Sequence, residues 1–416
     1  MVLLLAACTQ RWDGDEGGTA PTDAAEDPGD VPSLPVPLRW VRGYEGDTWE
    51  SARAGIWWQL ANLGAVPPAD ERAVSVVSAT ADEVRFTLDL EAVGFSEAAL
   101  PPVADAVAFV ATTDEHAFYG GLDLGAFFLR TLYEPWHYYA ITGACGKDAA
   151  WSAAHLPPDP AAYAITESLL VDGERLDHYT EAPGSTAAIA HLVEEGIGAI
   201  ADGSFEAVET ESIDVLPNGM LRYAVYDEAG ELAPWGQASP AGQPGRCLWC
   251  HEDHLQPGLA SNPGAEGYVP TATFLAEIAA QTDAVAMLRA GLATAVYFDP
   301  PDAHEHGELL TETWLLPSPG RLAREWWVAE SVITDALAAA DVPTTTHPEY
   351  PAFGAVVSRA DANRVFATLL PALVGDPIHP FYGLPPTFTP VATLPSAREP
   401  ATTPLIWGDP ATLRCD

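Results

Sequence analysis

Met220-Leu221-Arg222-Tyr223-Ala224-Val225-Tyr226-Asp227, followed after a loop by Cys247-Leu248-Trp249-Cys250-His251, is the stretch from which the rest of this chain is read. Leu221, Tyr223 and Val225 alternate with Arg222, Ala224 and Tyr226, the period of a strand, and Pro217-Asn218-Gly219 just before them is a hairpin turn. The spacing predicts paired strands over Phe205 to Leu216 and Met220 to Asp227. A Pro/Gly-rich loop, Pro240 to Arg246, then leads into C-x-x-C-H. Two thiols three positions apart can each add to one of the two vinyl groups of a haem, and the next histidine then lies under the iron as proximal ligand.

Other chemistries use a cysteine pair: a disulfide between Cys247 and Cys250, a zinc half-site, or a thiol redox pair. Zinc needs two more ligands at motif-like spacing. Only His251 and His254 are near, and there is no second C-x-x-C. A thioredoxin-like site places its pair between a buried strand and a helix, whereas a loop precedes this one. Haem attachment at Cys247, Cys250 and His251, with one covalent haem c as cofactor, is the reading that needs least beyond the motif.

Attachment of this kind belongs to exported chains. Met1 to Ala7 is a short apolar run, and Leu5-Ala6-Ala7-Cys8 resembles the lipobox of bacterial lipoproteins. The resemblance implies that Cys8 is lipidated and that the protein is held at the bacterial cell envelope by a lipid anchor alone. No Lys or Arg precedes Cys8, and the apolar run is shorter than a usual signal. Residues 9–37, rich in Asp, Glu, Gly, Pro, Ala and Thr, bury too little to offset their ordering entropy and read as a disordered linker. Cys145 and Cys415 remain. In an oxidising compartment they could form a disulfide, and two buried thiols are the alternative.

The formal charge of the 416-residue chain is −41, from 59 acidic and 18 basic residues. Nucleic-acid partners are disfavoured, because phosphate contacts need clustered Lys and Arg. A basic redox partner protein would be steered to such a surface. Apolar residues make up 48 % of the chain, enough for more than one core. The expected organisation is a signal remnant at 1–8, the linker at 9–37, an N-terminal α+β region at 38–160, a haem-bearing region at 161–300 and a helical, Pro-rich region at 301–416.

Along the chain, Asp47-Thr48-Trp49-Glu50 has the form of a capping box, opening a helix to about Leu63 before Gly64. Ala73 to Ser78 and Glu83 to Leu90 read as strands, and Pro101 to Thr112 and Leu122 to Leu132 as helices. Trp136 to Gly143 reads as an aromatic strand carrying His137, a hydrogen-bonded core histidine or a haem-facing one. Ala162 to Val171 and Arg175 to Glu181 form a hairpin around Asp172-Gly173-Glu174, and Ser185 to Ile200 reads as a helix. Thr271 to Leu292 and Ala329 to Ala340 are helical. Met287 on the first of these is the candidate distal iron ligand, with Met220 as the other, although methionines at helical spacing usually fill cores. His304 and His306 could hold a divalent metal, but H-x-H alone is a weak signal, and the cap of a following helix is the preferred reading.

The fold expected is therefore α+β, with mixed helices and antiparallel hairpins and the motif in a loop after a hairpin. A plain helical cytochrome c would place an amphipathic helix before the motif. The region from Leu221 to His251 is similar to β-sheet cytochromes of the c-prime-beta type, in which a strand and a loop lead into the attachment site. The resemblance implies a mono-haem c-type cytochrome. Some members cross-link a lysine to the haem, and no motif here places Lys147, the one lysine, near the site. Electron transfer is the first function implied. A haem enzyme or gas-binding protein with an open distal position, or an envelope interaction protein with structural haem, are the alternatives.

Overall fold

The computed structural model describes residues 34–41, 44–45, 48–66, 72–112, 116–117, 120–166, 173–181, 183–234, 236, 244–251, 255, 265–291, 319, 330–346, 355–357 and 389–390. All belong to one unit, Ser33–Asp416. It is a mixed α+β fold built on two sheets, as the sequence led one to expect.

The first sheet has the order β3-β4-β1-β5, from β1 (Pro35–Val41), β3 (Val74–Ala79), β4 (Glu83–Asp89) and β5 (Leu122–Asp123). A short β2 (Tyr44–Glu45) pairs instead with Thr389–Pro390. Val36, Leu38 and Trp40 of β1 sit opposite Leu88, Phe86 and Val84 of β4, and all six are buried. That alternation makes residues 35–37 strand, so the expected linker ends before Pro35. Helix α1 (Trp49–Asn62) lays Trp57, Trp58 and Leu60 into the same core and stops before Gly64, whose φ of +90 suits glycine. Helix α2 (Leu100–Val110) and α3 (Leu124–Phe127), which continues as a π-helical turn to Leu132, cover the region.

Trp136 to Gly143 is helical, not a strand: α4 spans Pro135–Thr142. Aromatic residues favour strands only where a pleated neighbour receives them, and here the local start signal decides. The Glu134 carboxylate accepts from the backbone N–H of Trp136 and His137, Pro135 fits the first turn, and Gly143 closes the helix in the left-handed conformation at φ 74. Helix α5 (Asp148–His155) follows.

The second sheet runs β10-β9-β8-β7-β6, antiparallel throughout: β6 (Ala161–Ile165), β7 (Glu174–Tyr179), β8 (Ala190–Ile197), β9 (Glu206–Val215) and β10 (Leu221–Asp227). Strand β8 corrects the helix expected over Ser185 to Ile200, which is helical only as 3-10 turns at Thr186–Ala188 and from Ile200. Its Ala and Glu residues favour helix locally, but pairing on both sides overrides that preference. His191, Val193 and Glu195 share one face with Tyr179, Asp177 and Arg175 of β7 and Ile213, Glu211 and Glu209 of β9. Helix α6 (Leu248–His251) carries the cysteine motif, α7 (Thr271–Ala290) crosses this face, and α8 (Glu330–Ala339) lies beyond.

On the opposite face, Arg222 grips the Asp214 carboxylate with Nε and Nη2 at 2.9 and 2.8 Å, and Trp151 Nε1 donates to it at 2.8 Å. Arg222 Nη1 also donates to the carbonyls of Thr142 and Gly143, capping the C-terminus of α4. Asn218, in the β9–β10 turn, donates to the carbonyls of Ala61 and Ala65 at 2.7 and 2.8 Å, which fastens the hairpin to the end of α1. None of the described helices is long and apolar enough to cross a membrane.

Candidate functional site

The motif, expected in a loop, is helical: Pro244–Cys247 is a 3-10 turn that runs straight into α6. Positions 247, 250 and 251 thus fall at i, i+3 and i+4 of one continuous helical segment, and residues at those offsets share a face. Cys247 is 8 % exposed, belongs to the core and is a thiol rather than half of a disulfide. The side chain of Cys250 lies outside the described residues.

Two elements hold this segment. Gly245 lies against Tyr133: a Cβ there would sit 2.7 Å from the ring, closer than real Cβ contacts come. Tyr223 of β10 forms the second wall, with its ring centroid 5.6 Å from that of His251 at an interplanar angle of 40°. The Nδ1 atom of His251 is buried.

Behind these walls stand the tyrosines of α4. Tyr138 stacks on Tyr133 at 5.9 Å, and its hydroxyl accepts from the backbone N–H of Tyr223 at 3.1 Å. The Tyr139 hydroxyl accepts from Val225 N at 3.1 Å and donates to the Ala233 carbonyl at 2.7 Å. β10 is an edge strand, and these hydroxyls satisfy backbone groups that face away from β9. Burial, with the nearby Cys247 adding to it, holds both phenols well above their ordinary range, so they stay neutral. Burial also pushes Glu134 up to about 7, against the two N–H bonds it accepts.

The other expected residues are placed as follows. His137 is a core histidine: Nδ1 lies 2.7 Å from the Thr131 carbonyl, and burial holds its pKa below the usual value. Met220 is fully buried beside the hairpin turn, whereas Met287 is 72 % exposed on α7. Lys147 is exposed and paired with Glu231. Cys145 is disulfide-bonded. With Cys247 a thiol, its partner is one of Cys8, Cys250 and Cys415, whose side chains lie outside the described residues, as do those of His254, His304 and His306. Among the described residues no group of three His, Cys, Asp or Glu side chains could hold a metal ion.

Sequence reasoning located the cysteines and His251 but not Tyr133, Tyr138, Tyr139 or the part played by Tyr223. The alternation through Leu221, Tyr223 and Val225 was the only local signal for Tyr223. It also missed a buried trio beside the site, Asp177, His191 and Gln281, which have no common spacing. The donor set, a thiol and an imidazole on one helical segment beside the Tyr133 and Tyr223 rings, is of the kind that a covalently held haem needs. Set against protein-family models, curated proteins and solved structures, the chain matches none of them.

Proposed function

We propose that the chain is an exported envelope protein carrying one haem c, with Cys247 and Cys250 as thioether anchors, His251 as proximal ligand and Cys8 as the lipidated anchor. What supports this is the C-x-x-C-H set on a continuous helical segment seated against Tyr133 and Tyr223. The haem supplies the iron that carries an electron, and its ligation and surroundings set what that iron does. The chain's own residues orient it: Tyr223 flanks the imidazole, and the Tyr138 and Tyr139 hydroxyls fix β10. The acidic surface steers a basic redox partner.

A second reading, an iron with an open distal position, is favoured by the exposure of Met287 and the enclosure of Met220. Ferrous spectra decide between the two. A low-spin, six-coordinate iron supports a carrier, and a high-spin iron that binds carbon monoxide supports a gas-binding or enzymatic role. Should the iron be low-spin, Met287→Ala converts it to high-spin if Met287 is the ligand and leaves it unchanged otherwise.

The founding experiment is coexpression with a cytochrome c maturation system, with intact mass as readout. We expect the mass of one haem to be added, and lost in Cys247→Ala with Cys250→Ala. Peptide mapping without reduction reads the partner of Cys145 in the same sample. A Cys145–Cys250 disulfide, or no covalent haem, overturns the proposal.

A further inference from the structure

Gln281 of α7 reaches across the second sheet to His191 of β8, and the hydrogen bonds of this contact fix its proton count. The Gln281 amide nitrogen donates to the Thr180 carbonyl at 3.0 Å, so the amide cannot be reversed without setting two acceptor oxygens together. Its Oε1 therefore faces His191 Nε2, 2.8 Å away, and needs a proton from it. On the other side of the ring, Nδ1 lies 3.2 and 3.0 Å from the two oxygens of Asp177. Both ring nitrogens have acceptors, which is the pattern of an imidazolium.

The surroundings agree. His191 is 2 % exposed, and the Tyr179 ring lies nearly parallel to it at 5.6 Å. Burial by itself disfavours the charge. The charge of Asp177 on β7, the bonds to Asp177 and Gln281 and, last, the charge of Glu277 on α7 together outweigh it, so the pKa stands above the ordinary value. Phe274, stacked on Tyr163 at 4.1 Å, and Arg289, donating to the Gly219 carbonyl at 2.7 Å, hold the two ends of the helix.

We propose that the Asp177–His191–Gln281 link is a pH-sensitive latch that fastens α7 over the second sheet while His191 is protonated and releases it when the proton leaves. A neutral imidazole keeps one N–H. If it stays on Nδ1 for the buried carboxylate, the Nε2 lone pair faces Gln281 Oε1 and the bond to α7 becomes a repulsion. Retaining it on Nε2 strands Asp177 against a lone pair, a worse arrangement for a buried charge.

The latch borders the candidate haem seat. Tyr223, Ile213 and His191 lie in one cross-strand row, so the ring beneath His251 is two strands, about 10 Å, from the latch. The inference concerns the chain alone and stands or falls without haem.

Nitrogen-15 NMR of histidine-labelled full chain, without haem, tests it together with hydrogen exchange. At pH 6 both His191 ring nitrogens should be protonated. After correction for intrinsic exchange rates, opening of α7 should rise up to tenfold per pH unit between the ordinary histidine pKa and the raised pKa of the closed state, and level off above it. The Gln281→Leu variant should lose that dependence. A singly protonated His191 at pH 6, or α7 protection independent of pH in the unsubstituted chain, overturns the proposal. Because the NMR reading needs no variant, failure of Gln281→Leu to fold leaves the test decisive.

Discussion

Tyr139 is the residue on which the candidate site leans most. Its hydroxyl serves Val225 N and the Ala233 carbonyl at once, inside the core. Tyr139→Phe removes one oxygen and leaves a buried donor and a buried acceptor without it, at a cost of about 1–3 kcal/mol. Tyr138→Phe orphans one donor, Tyr223 N, and should cost about 1 kcal/mol. Urea unfolding of the two variants checks the order, and an equal or reversed cost would deny the edge-sealing role. At this scale the sequence was legible where partners are close along the chain. Cys247, Cys250 and His251 lie within five positions and announce themselves. Tyr138 and Tyr223 are 85 positions apart, and Asp177, His191 and Gln281 are drawn from two strands and a helix. No spacing rule joins them.

Among elements, the 244–251 segment is the one whose seat can be tested alone. Gly245 has no room for a Cβ, since the Tyr133 ring is buried and cannot retreat. Gly245→Ala should lift the segment and expose Cys247, raising the rate of its alkylation in the haem-free chain several-fold, with far-ultraviolet dichroism of the sheets unchanged. An unchanged rate would show that the contact with Tyr133 does not position the motif. Elements with their own punctuation were readable: α1 before Gly64, and β9 and β10 around Pro217-Asn218-Gly219. Those decided by neighbours were not. α4 has the composition of a strand and is helical through Glu134 and its tyrosine contacts, while β8 has the composition of a helix and is a strand through β7 and β9.

For the whole molecule, buried acids and the His191 latch set the response to pH. Burial raises Glu134 from 4.5 to about 7, so folding takes up a proton between those values and stability falls as pH rises through that window, by about 3 kcal/mol. Glu195 acts in the same direction, its burial outweighing Arg175, and so does His191, whose raised pKa gives stability that is lost as the proton leaves. His137, held low, acts oppositely. A formal charge of −41 adds self-repulsion at neutral pH and above. Thermal unfolding should therefore show a higher Tm at pH 5.5 than at pH 8.5, with Glu134→Gln narrowing the gap, and a Tm that rises over this range would refute the assignment. The fold class was legible because both hairpin alternation and helix punctuation survive in the chain, whereas the charge pattern inside the sheet was not, because burial is a property of the assembled body. One last consequence follows from Cys247 being 8 % exposed in the core. A catalyst as large as an enzyme cannot touch that sulfur once the body has closed around it. The thioether proposed at Cys247 would therefore form on the open chain and be enclosed afterwards, which would set the order of biogenesis as modification first and closure second.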